Sequence, residues 1–242
     1  MKQQIVNAKI VNEGSIIEGD LLLDGERIVG INAPSKNVTK TIDADGAYLI
    51  PGMIDDQVHF REPGFEHKAE IATESRAAIA GGITSYMEMP NCNPLTISEE
   101  KLLDKRSRAA QKSLANYAFY LGATNDNLEN IKTVNPGLTC GIKIFMGAST
   151  GDMLVDNQQT LENIFASTGL LVATHCEDTP MILKAEQEAQ KRWGDEIPFS
   201  EHPNIRSEEA CFKSSSLAVS LAKKYGTKLH VLHITTEREL SL

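Results

Sequence analysis

Five residues in this chain have types and placements that could assemble a metal centre: Gln57, His59, Lys143, His175 and His233. The apolar run Tyr48-Leu-Ile-Pro-Gly-Met-Ile54 turns polar at Asp55 and Asp56, as a buried strand does when its C-terminal end opens into a site. Along such a strand Gln57 and His59 project to one side, with Val58 opposite. Two histidines at that spacing would be a strong metal signal; a glutamine and a histidine make a weaker one. Lys143 lies inside Gly141-Ile-Lys-Ile-Phe145, where an ammonium must pair with an acid or lose its charge. It is therefore either half of a salt bridge or an amine of lowered pKa that takes up carbon dioxide, giving an anionic carbamate ligand. His175 closes Leu170-Leu-Val-Ala-Thr174, and His233 closes Lys228-Leu-His-Val-Leu232. Singly, each histidine reads as structural; together, at the ends of successive strands, they make a rim suited to zinc with an open water position. Arg61, two residues past His59, is either a solvated loop arginine or a bidentate partner for a substrate carboxylate. Asn91 ends the next strand and could donate to the same carboxylate.

The remaining polar candidates carry less. His67 and His202 fall in loop or helix-leading segments and are read as outside the site. His230, earlier on the strand that leads to His233, is expected in the core or against the helices. Gly147-Ala-Ser-Thr-Gly151 lacks the Gly-Lys-Ser/Thr ending of a phosphate loop and reads as a loop between strand and helix.

The elements that must position these residues follow from the pattern. Residues 1–47 carry short β-rich runs (5–11, 16–23 and 27–31) divided by Asn-Glu-Gly and Asp-Gly-Glu turns, which predicts a small antiparallel sheet. From residue 48 the rhythm becomes strand, loop, helix. Strands are expected at 48–55, 83–89, 115–121, 140–145, 170–174 and 228–232. Helices are expected near 66–80, 98–113, 125–132, 157–167, 178–192 and 206–225. That alternation implies a parallel sheet with helices outside it. The site-like residues follow strand C-termini, where closed α/β barrels and open sheets both place their sites, so the pattern leaves the two architectures open.

Composition narrows the class. The 242 residues are 41% apolar and 24% charged, as expected of a globular protein of one large domain or of a domain with a small companion. A formal net charge of −9 speaks against nucleic acid or an anionic membrane as partner. No apolar run approaches the ~18 residues of a membrane span. The start of the chain lacks the apolar core of a signal peptide. Cys92, Cys140, Cys176 and Cys211 form no Cys-x-x-Cys pair, so a reduced, cytoplasmic protein is expected.

The motif His59-Phe-Arg-Glu-Pro-Gly64 resembles the signature of dihydroorotases, members of the metal-dependent amidohydrolase superfamily. Thr174-His-Cys-Glu-Asp178 and Leu232-His-Ile-Thr-Thr236 also resemble that family's segments. The resemblance implies a (β/α)8 TIM-type barrel with a small β-sandwich built from both chain ends. About six of eight units would be present, in a barrel domain over 48–242 incomplete at its C-terminus, with residues 1–47 as the N-terminal part of the sandwich. It implies His59, carboxylated Lys143, His175 and His233 as metal ligands, zinc as the metal, and Arg61 and Asn91 as binders of the dihydroorotate carboxylate. The implied reaction is the reversible cyclisation of N-carbamoyl-L-aspartate to L-dihydroorotate in pyrimidine synthesis, using hydroxide generated at the metal. The family's catalytic aspartate would lie beyond Leu242, so the 242-residue piece alone is expected to be inactive. The sequence departs from the family at Gln57, where histidine is usual, and this favours one zinc ion over two. Arg61 separates the expectation from allantoinases, which generally lack arginine there, and from dihydropyrimidinases. The other readings are another cyclic-amide hydrolase, or an inactive relative serving as scaffold for a pyrimidine-pathway enzyme. A homodimer is expected, since dimers are common in the family and open strand edges favour association.

Overall fold

The computed structural model describes residues 1–147 and 153–242. Two compact units are present, Met1–Met53 and Ile54–Leu242. In the smaller unit, β1 (Lys2–Asn12) and β2 (Ser15–Asp24) form an antiparallel hairpin, and β3 (Arg27–Ile31) extends it beyond β2. Glu13 and Gly14 turn the hairpin with positive φ, the backbone twist that two-residue hairpin loops require. The sheet is not purely antiparallel, as its first three strands suggest. β4 (Val38–Asp43) and β5 (Tyr48–Leu49) both pair with β1 in parallel. β4 escapes a reading by apolar runs because Val38-Thr-Lys-Thr-Ile-Asp43 has only two apolar residues. Ala8, Ile10 and Leu21 form this unit's core, packed by Ile5, Leu23, Ala44 and Leu49.

The strand expected over 48–55 is observed in two pieces. Tyr48 and Leu49 belong to β5, and β6 spans Met53–Val58. Pro51, which has no N–H to give a ladder, and Gly52 separate them.

In the larger unit strands and helices alternate. After β6 come α1 (Ile71–Ala80), β7 (Ile83–Glu88), α2 (Glu99–Lys112), β8 (Asn116–Phe119), β9 (Leu121–Gly122) and α3 (Leu128–Thr133). Then follow β10 (Ile142–Phe145), α4 (Gln158–Ser167), β11 (Val172–His175), α5 (Thr179–Trp193), α6 (His202–Ile205), α7 (Glu208–Tyr225) and β12 (Leu229–Val231). The strands form two arcs, β6-β7-β8 and β9-β10-β11-β12. Only Tyr120 separates β8 from β9, and its N–H donates to Glu88 O at 3.0 Å. Ser98, Asn157, Asp178 and Ser207 each cap a helix by accepting an N–H three residues on, which satisfies one of the orphan donors at the first turn.

Strand alternation sorts the side chains into two layers. Ile142, Ile144 and Val172 pack with Leu102, Leu161, Ile164, Phe165, Ala218 and Leu221 in the core shared with the helices. Residues of opposite parity lie on the inner side: Ala173 clusters with Met89, Tyr120 and Leu232, and Lys143 is its register partner. Of the loop expected over 147–151, all but Gly147 lies outside the described residues.

Candidate active site

The site starts at Lys143, which the pleat of β10 turns away from the helix-facing isoleucines on either side. The residue is 1% exposed, its Nζ has no hydrogen-bond partner among the described residues, and the amine lies 4.5 Å from the centre of the Phe145 ring. Of the two sequence readings, no salt bridge to Lys143 is found among the described residues. Burial pushes the Lys143 pKa down to about 7, because the loss of hydration outweighs what the Phe145 ring and the nearby Cys176 return to the ammonium.

Phe145 stands opposite His175 in the β10–β11 register, with the two rings 6.1 Å apart. His175 Nδ1 lies 3.2 Å from His233 Nε2, and His175 Nε2 lies 2.7 Å from Glu177 Oε2. The ladder carries both histidines into position: Met146 N donates to His175 O, and Leu232 N donates to Thr174 O, each at 3.0 Å. Burial, followed by the neighbouring His175 and Lys143, lowers the His233 pKa, so this imidazole favours its neutral, ligating form.

His59 follows the last residue of β6. Burial, then the Arg61 guanidinium, lowers its pKa to about 4, with Lys143 and Lys105 adding to the effect and the Asn91 amide opposing it. The Asn91 carbonyl oxygen is buried and makes no well-aligned hydrogen bond, although it stands near enough to raise the basicity of the ring. Lys143 is thus within electrostatic reach of both His59 and His233. Gln57 sits on β6 with its N–H donated to Asp55 Oδ1 at 3.1 Å.

Two loops carry Arg61 and Asn91, and they are locked together. Asn93 N donates to Pro63 O at 2.9 Å, and a Cβ on Gly64 would fall 2.0 Å from Asn93 O. Gly64 also has φ +91, so no other residue fits that approach without strain. Within the larger unit, Arg61 and His233 are the described non-glycine residues with positive φ, at 66° and 40°. Such conformations cost about 1–3 kcal/mol each and cluster where geometry serves function.

The structure brings His175 and His233 within 3.2 Å of each other and sets Lys143 within electrostatic reach of both His233 and His59. Among the described residues, no three His, Cys, Asp or Glu side chains converge as a ready metal cluster. Two of the expected nitrogen ligands are nevertheless spaced for one: tetrahedral zinc with Zn–N bonds of about 2.0–2.1 Å sets neighbouring nitrogens roughly 3.3 Å apart. His67 is exposed. His202, read from the sequence as outside, lines a cleft of about 330 Å³ with His175, His233, Glu177 and Arg206. His230 is not in the core: its ring is partly exposed 3.6 Å from the Asp56 carboxylate, and it lines a cavity with Ser215, Val219 and Ala222 of α7.

Three supporting acids escaped the sequence reading. Glu62, fully buried, accepts from Ile71 N at the start of α1 (3.1 Å) and from Lys112 Nζ (2.6 Å). It anchors the loop that holds Arg61. Glu88 pairs with Lys105 at 2.9 Å, both 1% exposed, and Lys105 also donates to Met89 O at 3.2 Å. Glu177 bonds His175 and Arg206. For Glu62 and Glu177 the signals were the acids within His59–Gly64 and Thr174–Asp178, and for Glu88 an acid inside the apolar strand β7, but their basic partners lie far along the chain.

The chain resembles proteins that act on cyclic amides. A family model described as dihydro-orotase-like matches residues 46–135. An allantoinase of Bacillus velezensis is 32% identical over 242 residues, covering 97% of this chain and 52% of the relative. A dihydroorotase of Methanosarcina acetivorans is 31% identical over 238 residues, covering 96% and 50%. Among solved structures, L-hydantoinase (dihydropyrimidinase) from Arthrobacter aurescens superposes with a TM-score of 0.93 at 25% identity, covering 99% of this chain and 54% of that one. The chain spans about half the length of the relatives it matches. The strand–helix arcs described above are accordingly part of a TIM-type barrel.

Proposed function

This chain belongs to the dihydroorotase-like branch of the amidohydrolase superfamily, and from that premise we propose that it serves the metal-dependent opening and closing of a cyclic amide. The observation that carries the reading is Lys143: a buried amine with no hydrogen-bond partner among the described residues, within electrostatic reach of His59 and His233. A lysine buried for packing alone would cost stability without return. With its pKa near 7, a large neutral fraction exists at neutral pH. The neutral amine would add to carbon dioxide, its lone pair forming an N–C bond as one C=O π bond breaks onto oxygen and the nitrogen gives up a proton, and the carbamate anion so formed would join His175 and His233 as a ligand.

Zinc held there would supply Lewis acidity at the amide carbonyl and lower the pKa of a water to about 7. The residues of this chain do the rest. Burial keeps His59 and His233 neutral and able to ligate. Arg61 and Asn91, on two interlocked loops, hold a substrate carboxylate and fix the approach of the ring. One ion is favoured over two, because the Gln57 amide is a poor zinc ligand beside imidazole.

Within the class we propose L-dihydroorotate and N-carbamoyl-L-aspartate as the substrate pair, on the strength of Arg61. Its guanidinium lies close enough to depress the His59 pKa and would match the carboxylate that distinguishes dihydroorotate from allantoin and simple hydantoins. The test is ring opening of dihydroorotate, allantoin and hydantoin by one zinc-loaded preparation of the full-length protein. Dihydroorotate should lead by at least tenfold in kcat/KM; a lead for hydantoin or allantoin would move the assignment to those enzymes.

A further inference from the structure

We propose that Glu177, clamped by Arg206, is a positioning residue that sets the tautomer and orientation of His175, turning its Nδ1 lone pair toward the point that His233 Nε2 also faces. This rests on the reading of His175 and His233 as ligands. Glu177 is 7% exposed, and one oxygen, Oε2, takes both of its recorded partners: His175 Nε2 at 2.7 Å and Arg206 Nη1 at 2.5 Å. A carboxylate only accepts. His175 must therefore carry its proton on Nε2, and in the neutral ring that leaves Nδ1 bare.

The backbone of Glu177 is held as firmly as its side chain. Its carbonyl packs on Gly147, where an added Cβ would stand 1.7 Å from that oxygen. The next residue, Asp178, donates its N–H to Ala210 O at 3.1 Å and caps α5. Arg206 arrives from the end of α6, 29 residues away. The wall of the cleft that carries His202 and Arg206 thus sets the direction of a ligand nitrogen on β11. A Glu177–Arg206 pair with a purely structural role would need no bond to His175. Outer partners of ligating histidines typically affect metal affinity by 10–100-fold.

The test uses metal-free protein with ¹⁵N-labelled imidazoles, His175 being assigned by its disappearance in H175N. Long-range ¹H–¹⁵N correlations should show His175 in the wild type as the Nε2–H tautomer. In E177L the two tautomers should mix, and zinc affinity, measured by chelator competition, should fall about tenfold or more. An unchanged tautomer in E177L, or zinc affinity within twofold of the wild type, overturns the proposal. Should E177L fail to fold by circular dichroism, R206M carries the same test: Glu177 stays but loses its clamp, and tautomer mixing with a roughly threefold affinity loss is expected. No change in R206M then overturns it. A wild type that binds no zinc would instead sink the functional reading, and the metal-free tautomer comparison would still decide the role of Glu177.

Discussion

Replacing Lys143 by Met should change how the protein's stability depends on pH, and the size of the change follows from burial. In the unfolded chain the amine has a pKa near 10.5; in the fold it drops to about 7. Between those values the unfolded state binds more protons than the folded one, so stability rises with pH across that window. Below about pH 7 both states are protonated, and the full cost of the buried ammonium is borne. The slope contributed by one such group is about 1.4 kcal/mol per pH unit, and the whole window is worth roughly 4–5 kcal/mol as an upper bound. Lys143→Met keeps most of the volume and removes the charge. The variant should be more stable than the wild type at pH 7 by a few kcal/mol and should lose that lead as pH approaches 10. The assay is urea denaturation of metal-free protein at half-unit steps from pH 6.5 to 9.5, in buffer purged of carbon dioxide with chelator present. Parallel stability curves for wild type and K143M would refute the claim that Lys143 is buried, unpaired and of lowered pKa.

Other expectations follow from the same contacts. Glu62→Ala should destabilise the protein by about 2–4 kcal/mol in urea denaturation, since it strips a charged acceptor from Ile71 N and Lys112 and leaves a buried helix N-terminus unsatisfied; a loss under 0.5 kcal/mol would contradict the anchoring role. Arg61→Met should lower kcat/KM for dihydroorotate by about 30–150-fold, the equivalent of 2–3 kcal/mol of charge-assisted binding, with zinc content by elemental analysis unchanged. Gly147→Ala should cost at least 1–3 kcal/mol in thermal or urea unfolding, because its Cβ would overlap the Glu177 carbonyl.

The barrel rhythm was legible because a strand buried on both faces announces itself as an apolar run, and the run breaks where the site begins. Lys143 stood out for the same reason: a cation inside Gly141–Phe145 has few explanations, and no acid pairs with it among the described residues. The partners of the acids were not legible. Glu62 meets Lys112 across 50 residues and Glu177 meets Arg206 across 29, and neither spacing has a local period to betray it. His202 was placed outside the site because the segment before α7 has no clear period in sequence, yet it forms α6 and lines the cleft beside His175. β4 was missed because its alternation is weak in apolar residues, and the parallel pairing it makes with β1 depends on a crossover that no short motif signals.

The central claim is that this chain's histidines and buried lysine hold a metal that opens a cyclic amide. The most direct test is zinc per chain by elemental analysis, paired with dihydroorotate ring opening followed by absorbance, in the protein at its full natural length. The account predicts close to one zinc per chain and turnover that disappears with chelator and in K143M. Metal-free protein that turns over no cyclic amide even when supplied with zinc and bicarbonate would contradict it.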